Sequence, residues 1–103
     1  LVKRSMTIIL PITEKQLERQ IADLARLFGW ERAHAWTSIH SPSGFPDDVL
    51  VRPPRIVMLE LKSAKGKLTE RQEKWGELLK ACPQIEYRVI RPDDLESVAE
   101  LLR

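Results

Sequence analysis

Asp47, Glu60 and Lys62 are the residues whose types and spacing can do chemistry in this chain. Two apolar runs rich in β-branched residues, Val49-Leu50-Val51 and Ile56-Val57-Met58-Leu59, have strand character. Arg52-Pro53-Pro54-Arg55 separates them. Proline lacks an N–H and presets φ, so the Pro pair marks the connection of a hairpin. A turn centred on that pair sets Asp47 opposite Glu60, and directly opposed antiparallel residues have Cβ atoms about 5 Å apart. Side chains alternate along a strand, so Lys62 shares the face of Glu60. The spacing therefore predicts two carboxylates and one ammonium at one end of a hairpin.

Two carboxylates held together repel, and burial raises the pKa of one of them. A divalent cation removes the conflict. Mg²⁺ takes oxygen ligands and is usually held by one or two carboxylates, with water and substrate phosphates around it. A lysine beside the cation can orient or help deprotonate an attacking water, or stabilise charge on a phosphate. Such a set is suited to phosphodiester hydrolysis. The same residues also read as an ion pair at a hairpin end, because a Glu-x-Lys triplet alone is common. The facing Asp47 and the later Gln72 shift the balance toward a site.

Gly44-Phe45-Pro46-Asp47, then Glu60-Leu61-Lys62, then Gly66-Lys67-Leu68-Thr69 leading to Gln72, resemble the VRR-NUC family of the PD-(D/E)XK nuclease superfamily. The resemblance runs from about Thr13 onward; the combined spacing is specific, each piece alone is not. It implies metal-dependent cleavage of DNA, with Mg²⁺ or Mn²⁺, and a preference for structured or branched DNA such as a four-way junction. By the same resemblance Asp47 and Glu60 hold the metal, the carbonyl of Leu61 adds a ligand, and Glu14 is a third acid assisting through water. Lys62 activates or orients the nucleophile, and Gln72 sits beside the site to place water or phosphate. Asp48 departs from the family pattern, where an apolar residue usually follows the Pro-Asp. It is expected to be either an extra outer group of the site or an exposed acid at the strand end. Asp47 is taken as the ligand because the hairpin register sets it opposite Glu60.

The elements that must position these groups are legible around them. Thr13-Glu14-Lys15-Gln16 is a capping box, with Ile12 and Leu17 as its hydrophobic staple. Apolar residues at 17, 21, 24, 25 and 28 form one helical face, and Gly29 ends the helix. Glu14 is then the first helical residue, where an acid also favours the helix dipole. Glu18, one turn on, is the alternative acid. Residues 30–40 read as a first strand, with Arg32, His34, Trp36 and Ser38 on one face. His34 and His40 read as structural or surface residues. Trp30, Trp36 and Trp75 read as core or self-association residues, base stacking being the other option.

Residues 41–44 form a loop that leads into Asp47 and is expected near the substrate, with Ser43 a candidate DNA contact. After Lys62 comes a basic loop. Lys65 and Lys67 in it, and Arg71 beyond it, are candidate phosphate contacts, solvated surface being the alternative. Thr69-Glu70-Arg71-Gln72 is a second capping box, which gives Gln72 a structural role in its own right. The second helix runs on to Cys82-Pro83, Glu86–Ile90 alternates as a fourth strand, and Asp93 caps a last helix. The expected order is α-β-β-β-α-β-α. The expected class is α/β, a restriction-endonuclease-like core with a mixed sheet flanked by helices.

Composition sets the frame. The 103 residues make one domain, taken as 13–103 after a lead-in of 1–12 whose first five residues are expected to be non-native, with Met6 as the natural start. A domain this small is marginal alone, which favours a homodimer. Net charge is +2, from 17 basic and 15 acidic residues, so total charge neither requires nor excludes nucleic acid. One cysteine, Cys82, excludes an internal disulfide, reads as a packing residue and suits a reducing cytoplasm. No apolar run is long enough to span a membrane, and no organic cofactor is expected. The competing function is a non-catalytic nucleic-acid or protein-binding module on the same fold, which divalent-ion affinity would tell apart.

Overall fold

The computed structural model describes residues 12–34 and 43–103. Helix α1, Glu14–Leu27, starts at the Thr13 capping box: Gln16 N–H donates to Thr13 Oγ1 at 3.0 Å, and Thr13 N–H to Gln16 Oε1 at 2.8 Å. It ends at Gly29, whose φ of +79° suits a residue without Cβ. Strand β1 is Glu31–His34, β2 is Asp48–Arg52 and β3 is Arg55–Leu61. Helix α2, Glu70–Lys80, precedes β4, Ile85–Ile90, and a short 3₁₀ turn over Pro92–Asp94 leads into α3, Leu95–Leu102.

The strands stand in the order β1-β2-β3-β4. β1, β2 and β3 pair antiparallel, and β4 runs parallel to β3. The sheet is therefore mixed, as the sequence implied, because a helix lies between β3 and β4 and only a hairpin joins β2 to β3. The hairpin register matches the Pro53-Pro54 expectation: Arg52 pairs with Arg55, Leu50 with Val57, and Asp48 with Leu59.

The period-2 alternation of β3 divides its side chains between two layers. Val57, Leu59 and Leu61 are buried in one core with Leu50 and Ile90, under Leu17, Ile21 and Ala25 of α1 and Val98 and Leu102 of α3. Met58 and Glu60 face the other layer, which α2 covers: its Gly76 lies so close to Tyr87 that an added Cβ would stand 3.0 Å from the phenol oxygen. The arginines that flank the Pro pair close the far end of the first layer. Arg52 donates to the carbonyls of Phe28 at 2.8 Å and Leu102 at 3.1 Å, at the C-terminal ends of α1 and α3. Arg55 makes a paired contact with Glu86 at 2.8 and 2.7 Å.

Two local expectations are corrected, those for Asp93 and Cys82. Asp93 is not the cap of the last helix. The 3₁₀ turn intervenes, and Asp94 accepts the Arg91 N–H at 2.8 Å. Cys82 is exposed, beyond the end of α2, and does not pack in the core. Trp30 is 5 % exposed, its Nε1–H donating to the Leu102 carbonyl at 2.9 Å, with Arg52 and Arg55 over its ring. It is a core residue, unavailable for stacking on a base. Trp36, His40 and the remainder of the expected first strand lie outside the described residues. No helix among the described residues is long and apolar enough to cross a membrane.

Candidate active site at the end of the hairpin

β3 ends at Leu61, and there the hairpin gathers its acids. Glu60 points into the α2 layer and is 2 % exposed. Asp47 stands just before β2, and one of its carboxylate oxygens accepts the Leu61 N–H at 2.8 Å. That bond draws Asp47 across to β3. Burial first, then the Asp47 charge and a hydrogen bond shared with Asp47, push the Glu60 carboxyl up to about 8 against the lowering pull of Lys62. The Glu14 charge contributes the same way as Asp47, last in order. Tyr87 lies close enough that its phenol is raised by burial, then by Glu60 and Asp47.

Gln72 holds two positions at once. Its Oε1 accepts from Thr69 N–H at 2.9 Å, closing the capping box of α2, and its Nε2 donates to Glu60 at 3.1 Å. A side-chain amide has one acceptor end and one donor end, so the box fixes which end meets the carboxylate. The structural and the site roles expected of Gln72 are therefore compatible in one rotamer.

Glu14, Asp47 and Leu61 line a cavity of about 270 Å³ together with Lys15, Glu18 and His34. Among the described residues no three His, Cys, Asp or Glu side chains group tightly enough to hold a metal unaided. The acid pair of Asp47 and Glu60 leaves other positions to water, carbonyl and phosphate oxygens, which is the habit of Mg²⁺. A buried carboxyl pushed up by a neighbouring carboxylate is the conflict a hard dication relieves, so these oxygen donors fit Mg²⁺ or Mn²⁺. Glu14 enters as a charge at the cavity wall. Leu61 presents its N–H to Asp47.

The candidate DNA contacts lie around this end. Lys65 and Lys67 are exposed on the loop after β3, and Arg71 and Ser43 are exposed beside α2. The loop is braced from below by Arg91, whose Nη1 donates to the carbonyls of Ser63 and Gly66, each at 2.7 Å. Nothing near Arg91 in sequence announces this contact.

Asp48 is not an exposed acid at the strand end, one of the two places expected for it. It is fully buried, on the opposite face from Glu60 and paired with Leu59. Arg32 Nε donates to it at 2.8 Å, and His34 Nδ1 lies 3.0 Å away. Arg32 also reaches Glu18 at 3.1 Å, and His34 Nε2 lies 3.5 Å from the same carboxylate. Burial raises the Asp48 pKa against the opposing pull of Arg32 and His34, and its Oδ2 is buried without a hydrogen-bond partner. Glu18 is thus engaged by this network while lining the cavity together with Glu14. The sequence signal was the odd Asp48 itself, with Arg32 and His34 alternating on one strand face.

No protein-family model matches the sequence, and no curated protein matches it in sequence. A solved structure described as a VRR_NUC domain superposes with a TM-score of 0.69 over 86% of this chain and 97% of that one, at 16% identity. At that identity the likeness establishes the fold: this chain has the restriction-endonuclease-like fold of a VRR_NUC domain.

Proposed function

We propose that the protein is a DNA endonuclease dependent on Mg²⁺ or Mn²⁺. The observation that carries the reading is the acid pair: Asp47, drawn onto the Leu61 N–H, beside the buried Glu60, with Lys62 just past the end of β3 and Gln72 on the Glu60 carboxylate. The likeness to the VRR_NUC domain supports it by supplying the same fold.

Asp47 and Glu60 would hold the cation, with the Leu61 carbonyl as a further oxygen and Glu14 acting through water. The bound cation supplies Lewis-acid polarisation of a phosphate oxygen. Lys62 orients the attacking water and offsets negative charge on the phosphate as the new P–O bond forms and the bond to the leaving oxygen breaks. Gln72 holds Glu60 in one rotamer. Lys65, Lys67 and Arg71 contact backbone phosphates, a term that does not depend on sequence. The substrate is structured DNA, in particular a four-way junction, and the protein acts as a homodimer. These finer parts rest on the family resemblance of the motifs and on chain size.

The test is cleavage of a panel of duplex, flap and four-way-junction DNAs with Mg²⁺, Mn²⁺ or chelator. Divalent-dependent cleavage lost in Glu60→Gln is the expected result. Tight DNA binding with no cleavage and no measurable Mn²⁺ affinity would favour the non-catalytic binding module instead.

A further inference from the structure

Asp47 lies outside the ladder of β2, which begins at Asp48. Strand pairing therefore does not by itself fix its position. The loop before it is fastened to α2 in three ways. Gly44 has φ of +79°, and a Cβ there would stand 2.5 Å from the Arg71 carbonyl carbon, so the loop backbone lies directly on the first turn of α2. Trp75 Nε1–H donates to the Ser43 carbonyl at 3.1 Å. Phe45 packs edge-on against Trp75, with ring centroids 5.0 Å apart and planes at 86°. Buried Pro46 follows, and then Asp47.

The same helix bears Gln72, which donates to Glu60. One helix thus reaches both acids, Glu60 through a side chain and Asp47 through the fastened loop. We propose that Trp75 is a positioning residue of the metal site. By holding Ser43 and Phe45 it keeps the Gly44–Asp47 loop on α2 and sets the Asp47 carboxylate beside Glu60. This inference rests on the metal-dependent reading of the site. Groups that orient a metal ligand without touching the metal typically cost about 10–100-fold in metal affinity or activity when removed. A half-buried indole beside exposed Arg71 has a rival role as a stacking surface for a DNA base, and the two roles predict different losses.

The experiment is Mn²⁺ titration by calorimetry, without DNA, on the wild type and on Trp75→Phe, which keeps an aromatic ring against Phe45 but loses the N–H. Circular dichroism first establishes a temperature at which both are folded. The expected result is Mn²⁺ binding about tenfold weaker in Trp75→Phe, with KM for DNA at saturating Mn²⁺ close to that of the wild type. Gly44→Ala, which drives a Cβ into α2, should weaken Mn²⁺ binding further. Unchanged Mn²⁺ affinity in the folded variant overturns the proposal, as does a raised KM for DNA with Mn²⁺ affinity intact. If Trp75→Phe does not fold, Phe45→Leu carries the same expectation and the same overturning result. A wild type that binds no Mn²⁺ refutes the metal-dependent function, and the inference falls with it; a wild type that binds beside an unaffected variant refutes the inference alone.

Discussion

Glu60 is one of two buried carboxyls raised by the fold, Asp48 being the other. Burial and Asp47 together push Glu60 up to about 8, from an ordinary value of 4.5. The folded protein then binds more protons than the unfolded chain across that interval. The contribution to stability is complete below the lower value and is lost as pH rises through the upper one. The metal-free protein is expected to lose denaturant midpoint between about pH 4.5 and pH 8, and Glu60→Gln to flatten that dependence. Urea titrations in chelator at several pH values measure it. Lys62 separates binding from chemistry at the same scale. Lys62→Ala should keep the fold and Mn²⁺ binding while cleavage falls by roughly 10²–10⁴-fold, the usual contribution of a proton-handling or orienting side chain. Single-turnover cleavage beside calorimetry distinguishes this from loss of the metal, which removal of Asp47 should cause.

At the scale of elements, the site depends on how α1 and α2 seat on the hairpin. The buried contact of Arg32 with Asp48, extended to Glu18, ties the first strand and α1 to the start of β2. Arg32→Met leaves the Asp48 carboxylate facing only His34, and removing one partner of a buried pair typically costs about 3–5 kcal/mol. The double variant Arg32→Met with Asp48→Leu should recover much of the loss, since an apolar replacement of the whole pair is often neutral. A double-mutant cycle in urea measures both. The contrast with the hairpin explains what the sequence could reveal. The Pro53-Pro54 turn, both Thr-x-x-Gln capping boxes and the alternation of β3 are set by neighbours a few residues apart, so spacing alone gave the hairpin register up to Asp48 against Leu59. The Asp48 network joins residues 14 and 16 positions apart, the Arg91 brace spans 28 and 25, and the bond of Trp75 to the Ser43 carbonyl spans 32. Those depend on which turn of a helix lies over which strand, and no local pattern encodes that. Cys82 was misplaced for a related reason. Its apolar character was read as packing, whereas α2 ends at Lys80 and carries it out to solvent.

At the scale of the whole molecule, one site with one acid pair would cut one strand. A chain of 103 residues buries a smaller share of its surface than a larger domain, and pairing with a second copy adds burial. Leu27 at 72 % and Leu78 at 54 % exposure are apolar side chains left at the surface of the single chain. A two-fold dimer would present two equivalent sites. A four-way junction offers two related phosphodiesters, whereas a linear duplex does not hold its strands in that crossed arrangement. Light scattering at micromolar concentration should therefore give a mass twice that of the chain, and a monomer would contradict the dimer. On the junction, both strands should be cut at related positions, and a linear duplex at the same salt should be cut more slowly. Replacing Lys65 and Lys67 by alanine should weaken binding to duplexes of different sequence alike and flatten the dependence on salt, because contacts to phosphate carry no sequence information. Equal cleavage of duplex and junction by the wild type would remove the junction preference and leave the proposed metal site at the acid pair standing on its own evidence.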